Sequence, residues 1–305
     1  MTTLVALNMI CCLVLWVVLR GRFGPSQARW ARAIEFRPTE SMSPEQLFGC
    51  LLSGNFALLM RDNFNQLKSS LHRVRVNRTL AEHWAIHCPF DFRRVLEARL
   101  ARMGRMSQLE HGAIAAWHAG HWAQSNEYAA LERTCMFMTL RAHIVDEDAL
   151  RQGHLSVLAW DVQQVAYLLR LGLAVEYVSR RFADSVLDML RARVRSTYAS
   201  WQDYSLSALV GLGMRGSLEI FNATEWMQFA RTHSVLLDER HSPIRCAAPW
   251  QDPSVRPIEV ALSSSLETLS ATALGDMTSV VIPGGSALEV QPDGALGRRG
   301  LDRWL

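Results

Sequence analysis

The chain has 305 residues, of which 49% are hydrophobic, 20% charged and 9% aromatic, enough for a well-buried core and too apolar for a disordered chain. Its formal net charge of +3 is too small to argue for a nucleic-acid groove, and all but Lys68 of the 32 basic residues are arginines spread over nearly every predicted helix. Six cysteines (Cys11, Cys12, Cys50, Cys88, Cys135, Cys246) form no CxxC pair or disulfide-like framework, which points to a reducing compartment.

The first element is apolar. From Thr2 to Leu19 there is no charged residue. As a helix this stretch would rise about 27 Å, close to the hydrocarbon thickness of a bilayer. Its ten Leu, Ile and Val residues favour insertion by roughly 3–6 kcal/mol. Arg20, Arg22, Arg29, Arg32 and Arg37 all follow the run, so the positive-inside rule places the amino terminus outside and the body of the chain in the cytoplasm. A cleaved signal peptide would need a basic start and a small-residue cleavage site after the apolar core, and neither is there. The expectation is a single-pass anchor over residues 2–20, with 21–42 as a juxtamembrane linker.

Ser43-Pro44-Glu45-Gln46 supplies an N-cap, a proline at the first helical position and a glutamine at the third, and starts a helix predicted to run to about Lys68. Leu80, Trp84 and Ile86 mark a short amphipathic helix that stops before Pro89, and a further helix from about Asp91 buries Phe92, Val95, Leu96 and Leu100. Helical patterning covers 107–122 and 126–144. A polar break at Asp146-Glu147-Asp148 and Gly153 precedes helices near 156–172, 180–197, 201–212 and 224–236. No sustained period-two alternation occurs before residue 250, so the fold class is all-α over 43–250. Residues 251–305, rich in Pro, Gly and Ser, read as an irregular tail with short strands conceivable at 258–262 and 279–282.

Several residues invite a chemical reading. Trp160-Asp161 falls at a helix start, where the Asp161 carboxylate would cap free amides or, alternatively, face a pocket lined by Trp160, Tyr177, Trp201 and Tyr204. Ser200 and Asp203 make a capping-box-like pair that leaves Trp201 as a core plug. His83 and His87, four apart, and His118 and His121, three apart, have spacings that can bind zinc, but the glutamate that zinc-protease motifs place after the first histidine is Trp84 here. Ten histidines in 305 residues produce such pairs by accident, so no metal and no cofactor is expected. Arg191, Arg193 and Arg195 spread around their helix, with Asp184 and Asp188 as partners. No phosphate-binding loop, dinucleotide fingerprint or nucleophile elbow stands in context.

The series Ala159-Trp160-Asp161, Leu171-Gly172, Tyr177-Val178-Ser179, Ser200-Trp201-Gln202-Asp203-Tyr204 and Gly211 resembles the bacterial family catalogued as domain of unknown function 1266. Leu80…Trp84-Ala85-Ile86 with Val95-Leu96…Leu100 upstream, and Ser242-Pro243 with Pro249-Trp250 downstream, agree in order and spacing, so the resemblance covers roughly residues 75–250. The chain departs from the pattern at Gln163-Gln164, where a basic residue is expected, and at Gly213-Met214, where an aromatic is expected. The resemblance implies no established activity. The reading that follows is an inner-membrane, single-pass protein whose cytoplasmic helical domain binds another protein in an accessory, immunity-like or chaperone-like role, with no nucleic-acid partner. The alternative is a hydrolase-like or metal-dependent enzyme using Asp161 or the histidine pairs at His83/His87 and His118/His121.

Overall fold

A computed structural model of the chain describes residues 41–215 and 223–237 together with residues 242, 244 and 250. In chain order the helices are α1 (Pro44–Leu51), α2 (Gly54–Leu59), α3 (Arg73–Trp84), α4 (Pro89–Arg102), α5 (Gln108–His118), α6 (Asn126–Met136), α7 (Glu147–Gln152), α8 (Leu158–Ala174), α9 (Arg180–Thr197), α10 (Trp201–Arg215) and α11 (Ala223–Leu237). A π-helical turn, Phe137–Arg141, extends α6. The described residues contain no strand, and none of their helices is long and apolar enough to cross a membrane. The apolar amino-terminal segment, its linker through residue 40 and the two conceivable strands lie outside the described residues.

The helix starts follow local chemistry. Ser43 Oγ accepts from the Gln46 amide at 3.2 Å while Gln46 Oε1 accepts from the Ser43 amide at 3.2 Å, with Pro44 at the first helical position. That helix does not run to Lys68. It breaks after Leu51, resumes as α2 and stops at Leu59, with Arg61 in the left-handed region (φ 57). Short buried polar side chains stand at the break: the Ser53 hydroxyl turns back to donate to the Cys50 carbonyl at 2.9 Å while accepting from Arg170, and Asn55 and Asp62 bond outside the helix. The next helix starts at Arg73, and its end is set by Ala85 (φ 53), after which the Ile86 amide returns to the Leu80 carbonyl at 3.1 Å. Leu80 and Trp84 are therefore helical, and Ile86 is a buried residue of the following turn.

Helix α8 is the axis of the fold. Between Leu158 and Leu173 every residue except Asp161 is buried, so its apolar character runs around the helix rather than along one stripe. It packs against α2, α3, α4, α9 and α10. The strongly amphipathic α9 lays Ala183, Val186, Leu187, Leu190 and Val194 inward and also packs on α1. Two glycines permit close approaches of neighbouring helices to α8. A Cβ on Gly172 would lie 2.4 Å from Phe92 Cζ of α4, and a Cβ on Gly211 of α10 would lie 2.5 Å from Trp160 Cβ of α8. Leu171-Gly172 and Gly211 in the sequence pattern are thus the places where neighbouring helices touch α8.

Candidate functional site

Asp161 does not cap α8. The first amides of that helix are taken by hydroxyl groups: Leu158 donates to Ser156 Oγ at 3.2 Å and Ala159 to Tyr198 Oη at 2.9 Å. Asp161, one turn further on, is released to reach outward. Its Oδ2 accepts from the Gly104 amide at 2.8 Å, and both carboxylate oxygens accept from Arg215 Nη1 at 2.7 Å. Arg215 Nε in turn donates to Glu110 Oε1 at 2.8 Å, and its Nη2 donates to the Arg105 carbonyl at 2.6 Å. Glu110 is held by the capping box of α5, where Ser107 and Glu110 exchange bonds at 2.7 and 3.1 Å. Four elements therefore meet at one guanidinium: the turn after α4, the start of α5, the start of α8 and the end of α10.

The electrostatics reflect this enclosure. Burial pushes the Asp161 carboxyl above the usual carboxylate range, against the pull of Arg215, the Gly104 amide and Arg99. Burial would do the same to Glu110, but Arg215 and Ser107 hold it below that range. Arg215 is itself raised, burial notwithstanding, by the two acids. Arg99, also facing Asp161, is lowered by burial and donates to Gln164 Oε1. A cluster with every charge answered by a neighbour joins elements firmly, and it engages both carboxylate oxygens of Asp161 with groups of the protein.

The other residues singled out in the sequence are distributed. Trp160 is buried against Phe56, with ring centroids 5.4 Å apart. Tyr177 lies beyond the far end of α8, about 20 Å from Asp161 along the helix, where its ring meets Phe92 and its hydroxyl donates to the His87 carbonyl at 3.2 Å. Trp201 and Tyr204 do come together, in an aromatic cluster with Phe48 and Trp250: Trp201 is 4.4 Å from Phe48, 5.1 Å from Trp250 and 5.9 Å from Tyr204. Tyr204 Oη donates to the Leu52 carbonyl at 2.6 Å, and the Asp203 amide donates to Ser200 Oγ at 3.1 Å, which makes Trp201 a core plug behind a capped helix. One pocket does not contain all five side chains.

The histidine pairs are separated by helix ends. Helix α3 stops at Trp84, so His83 stands on it while His87 lies in the exposed turn before α4, and the shared helical face required by the four-residue spacing is lost. His118 closes α5 with its Nδ1 2.7 Å from the Arg151 carbonyl, and His121 follows after Gly120 (φ 68) has turned the chain. Among the described residues no three His, Cys, Asp or Glu side chains are grouped to hold a metal. The polar break at Asp146 to Asp148 is the start of α7, with Asp146 at its N-cap position and Glu147 paired with Arg151 at 2.7 Å. Arg191 pairs with Asp188 at 3.4 Å as expected, whereas Asp184 is taken by Arg180 at 3.8 Å and Arg195 lies over the Phe48 ring at 4.3 Å.

Two further polar clusters were not legible from motifs. In the core, Gln163 of α8 donates to Asn55 Oδ1 at 2.7 Å and accepts from the Phe56 amide at 3.0 Å. Asn55 donates to Ser205 at 2.9 Å and Thr232 at 3.0 Å, and His233 Nδ1 lies 2.9 Å from Ser205 Oγ. At the other end of α8, the fully buried Arg170 donates to the carbonyls of Gln66, at 3.0 Å, and Asn63 and to Ser53 Oγ at 3.2 Å. The only available signal was the presence of Gln163, Gln164 and Arg170 inside a run with no other polar residue but Tyr167.

The model for the family described as Protein of unknown function (DUF1266) matches residues 79–250. The chain belongs to this family. No curated protein and no solved structure matches it. The DUF1266 segment begins within α3 and closes at Trp250, and it contains α8, α10, the Asp161–Arg215 cluster and the Trp201 aromatic cluster. It does not include α1 and α2, yet Phe48 and Phe56 from those helices fill the same core.

Proposed function

We propose that this DUF1266 chain is a membrane-anchored helical module that works by binding another protein rather than by catalysing a reaction. The observation that carries the reading is the closure of its most charged cluster: Asp161, Glu110 and Arg215 satisfy one another and the Gly104 amide, which is the behaviour of a clamp. Large apolar side chains left in solvent supply contact surface, among them Trp122 at 71% exposure and the i, i+4 pair Met136 and Leu140. The apolar run Thr2–Leu19, followed by five arginines, supports the tether and the cytoplasmic placement of the domain.

The test is site-specific photo-crosslinking of the full chain in cells, with the reactive group at Trp122 or Leu140, followed by membrane fractionation. A discrete adduct recovered from the membrane fraction is the expected result. Absence of an adduct at every exposed apolar position, or a chain that stays in the supernatant, overturns it. One observation favours the second reading, an enzyme: the raised Asp161 carboxyl is a feature of general acids. That reading requires a turnover abolished by Asp161→Asn in a protein whose thermal unfolding is otherwise retained.

A further inference from the structure

One segment of the domain surface carries a run of exposed cations that the overall balance conceals. Residues 61–82 carry five basic side chains, Arg61, Lys68, Arg73, Arg75 and Arg78, and two acids, Asp62 within the basic series and Glu82 after it. All five cations are exposed and Asp62 is buried. The fold produces this segregation. Asp62 is turned inward, where its carboxylate accepts from Ser69 Oγ at 2.6 Å, from the Ser70 amide at 2.9 Å and from Ser70 Oγ at 2.8 Å. Arg170 fills the loop from beneath by bonding the carbonyls of Asn63 and Gln66. The acid within the basic series is thereby removed from the surface while Lys68 is left on it, and the exposed Glu82 stands beyond Arg78 toward the end of the helix.

The segment is compact enough to act as one patch. Arg75 Nη2 donates to the Met60 carbonyl at 3.2 Å, which sets its guanidinium beside Arg61, and His72 caps the helix that carries Arg73, Arg75 and Arg78. None of the five cations is in an ion pair with a described residue. Between them stands Val74, 62% exposed.

Five exposed cations around the exposed Val74, with no exposed acid between residues 61 and 78, match a surface that offers phosphate charge above hydrocarbon. We propose that residues 61–78 form a docking face for an anionic phospholipid bilayer, laying the domain against the membrane that the amino-terminal run enters. The setting rests on the membrane-anchored reading; the patch itself is a separate property. Each Arg or Lys attracts an anionic leaflet by roughly a fivefold affinity gain, and the exposed Val74 adds interfacial contact.

The experiment is hydrogen–deuterium exchange of the full chain on vesicles of phosphatidylcholine alone and on vesicles with phosphatidylglycerol added, with flotation measured in parallel. Amides of 61–78 are expected to exchange several-fold more slowly on the phosphatidylglycerol vesicles only, with protection lost in high salt. Arg73→Gln/Arg75→Gln/Arg78→Gln should lose it while still floating with both vesicles. Lys68→Gln/Arg73→Gln/Arg78→Gln, which spares the Arg75 bond to Met60, guards against a folding defect and should lose most of it.

Equal exchange on both vesicles by a chain that floats with both overturns the docking face and leaves the anchor standing. Flotation with phosphatidylglycerol vesicles alone overturns the anchor and supports the face; flotation with neither overturns both. Stronger protection of 61–78 by duplex DNA than by phosphatidylglycerol overturns the lipid assignment in favour of nucleic acid.

Discussion

Helix α8 has an arginine plugged in at each end, and the two are solved differently. Arg215, near Asp161 at the amino-terminal end, keeps 26% of its side chain exposed and faces two carboxylates at 2.7 and 2.8 Å. Arg170, toward the carboxyl-terminal end, is fully buried and is held by two backbone carbonyls and a serine hydroxyl. The first joins four elements by charge pairing at the rim. The second organises an irregular loop that could not otherwise satisfy its own carbonyls. A guanidinium thus serves as a rivet between helices in one region and as a substitute for secondary structure in the other.

The comparison is broken most severely at Arg170. Arg170→Met should cost about 3–5 kcal/mol, because it strands buried carbonyls as well as removing a charge, and in chemical denaturation the 60–72 loop should lose exchange protection beyond the global change. Next comes Gly211→Ala, which forces Cβ against Trp160 Cβ and the Val157 backbone; overpacking of this kind costs about 1–3 kcal/mol, read as a drop in melting temperature.

Arg215→Met should cost about as much as Gly211→Ala, since Asp161 and Glu110 lose their common partner yet retain some access to water. The sign with pH is fixed by Glu110. Its carboxyl is held below the ordinary range in the folded chain, so it contributes stability above that range which disappears as pH falls through the lowered value. Glu110→Gln should therefore flatten the acid limb of the stability curve, and a curve unchanged by it would contradict the pairing.

Tyr198 gives a subtler effect. Its hydroxyl receives the Ala159 amide, and burial pushes it up to about 12 despite its hydrogen bonds with Ser156 and Ser207 and from that amide. The unfolded tyrosine ionises near 10, so this contribution is complete below that pH and is lost between there and 12. Tyr198→Phe should cost about 1 kcal/mol at neutral pH and reduce the steepness of base unfolding by about one proton. Smallest of all, Glu97→Gln on the exposed Arg93–Glu97 pair should change stability by under about 0.5 kcal/mol.

Most helices were legible because their signals are local. The Ser43 capping box, the amphipathic stripe of α9 and the Ser200–Asp203 cap are written within a few adjacent residues, and α9 spans the 180–197 expected of it. The break between α1 and α2 was not, because Ser53, Asn55 and Asp62, the buried polar residues at and after it, bond to groups over a hundred residues away or across a loop. For the site, Asp161 was found and its role misassigned: its partners Gly104 and Arg215 are 57 and 54 positions distant, and Glu110, the second acid on Arg215, is 105 positions from that arginine, so no spacing could reveal them as a motif.

The sequence by itself determined that this is a helical DUF1266 chain, because hydrophobic periodicity, capping residues and the spaced Trp, Asp and Gly elements are properties of neighbours along the backbone. Tertiary structure alone decided what those elements do. It set Gly172 and Gly211 under Phe92 and Trp160, closed Asp161 against Arg215, buried Asp62 and left five cations facing solvent. The reason is physical: burial and ion pairing depend on which surfaces meet when helices pack, and a buried charge selects its partner by distance in space rather than by position in the chain.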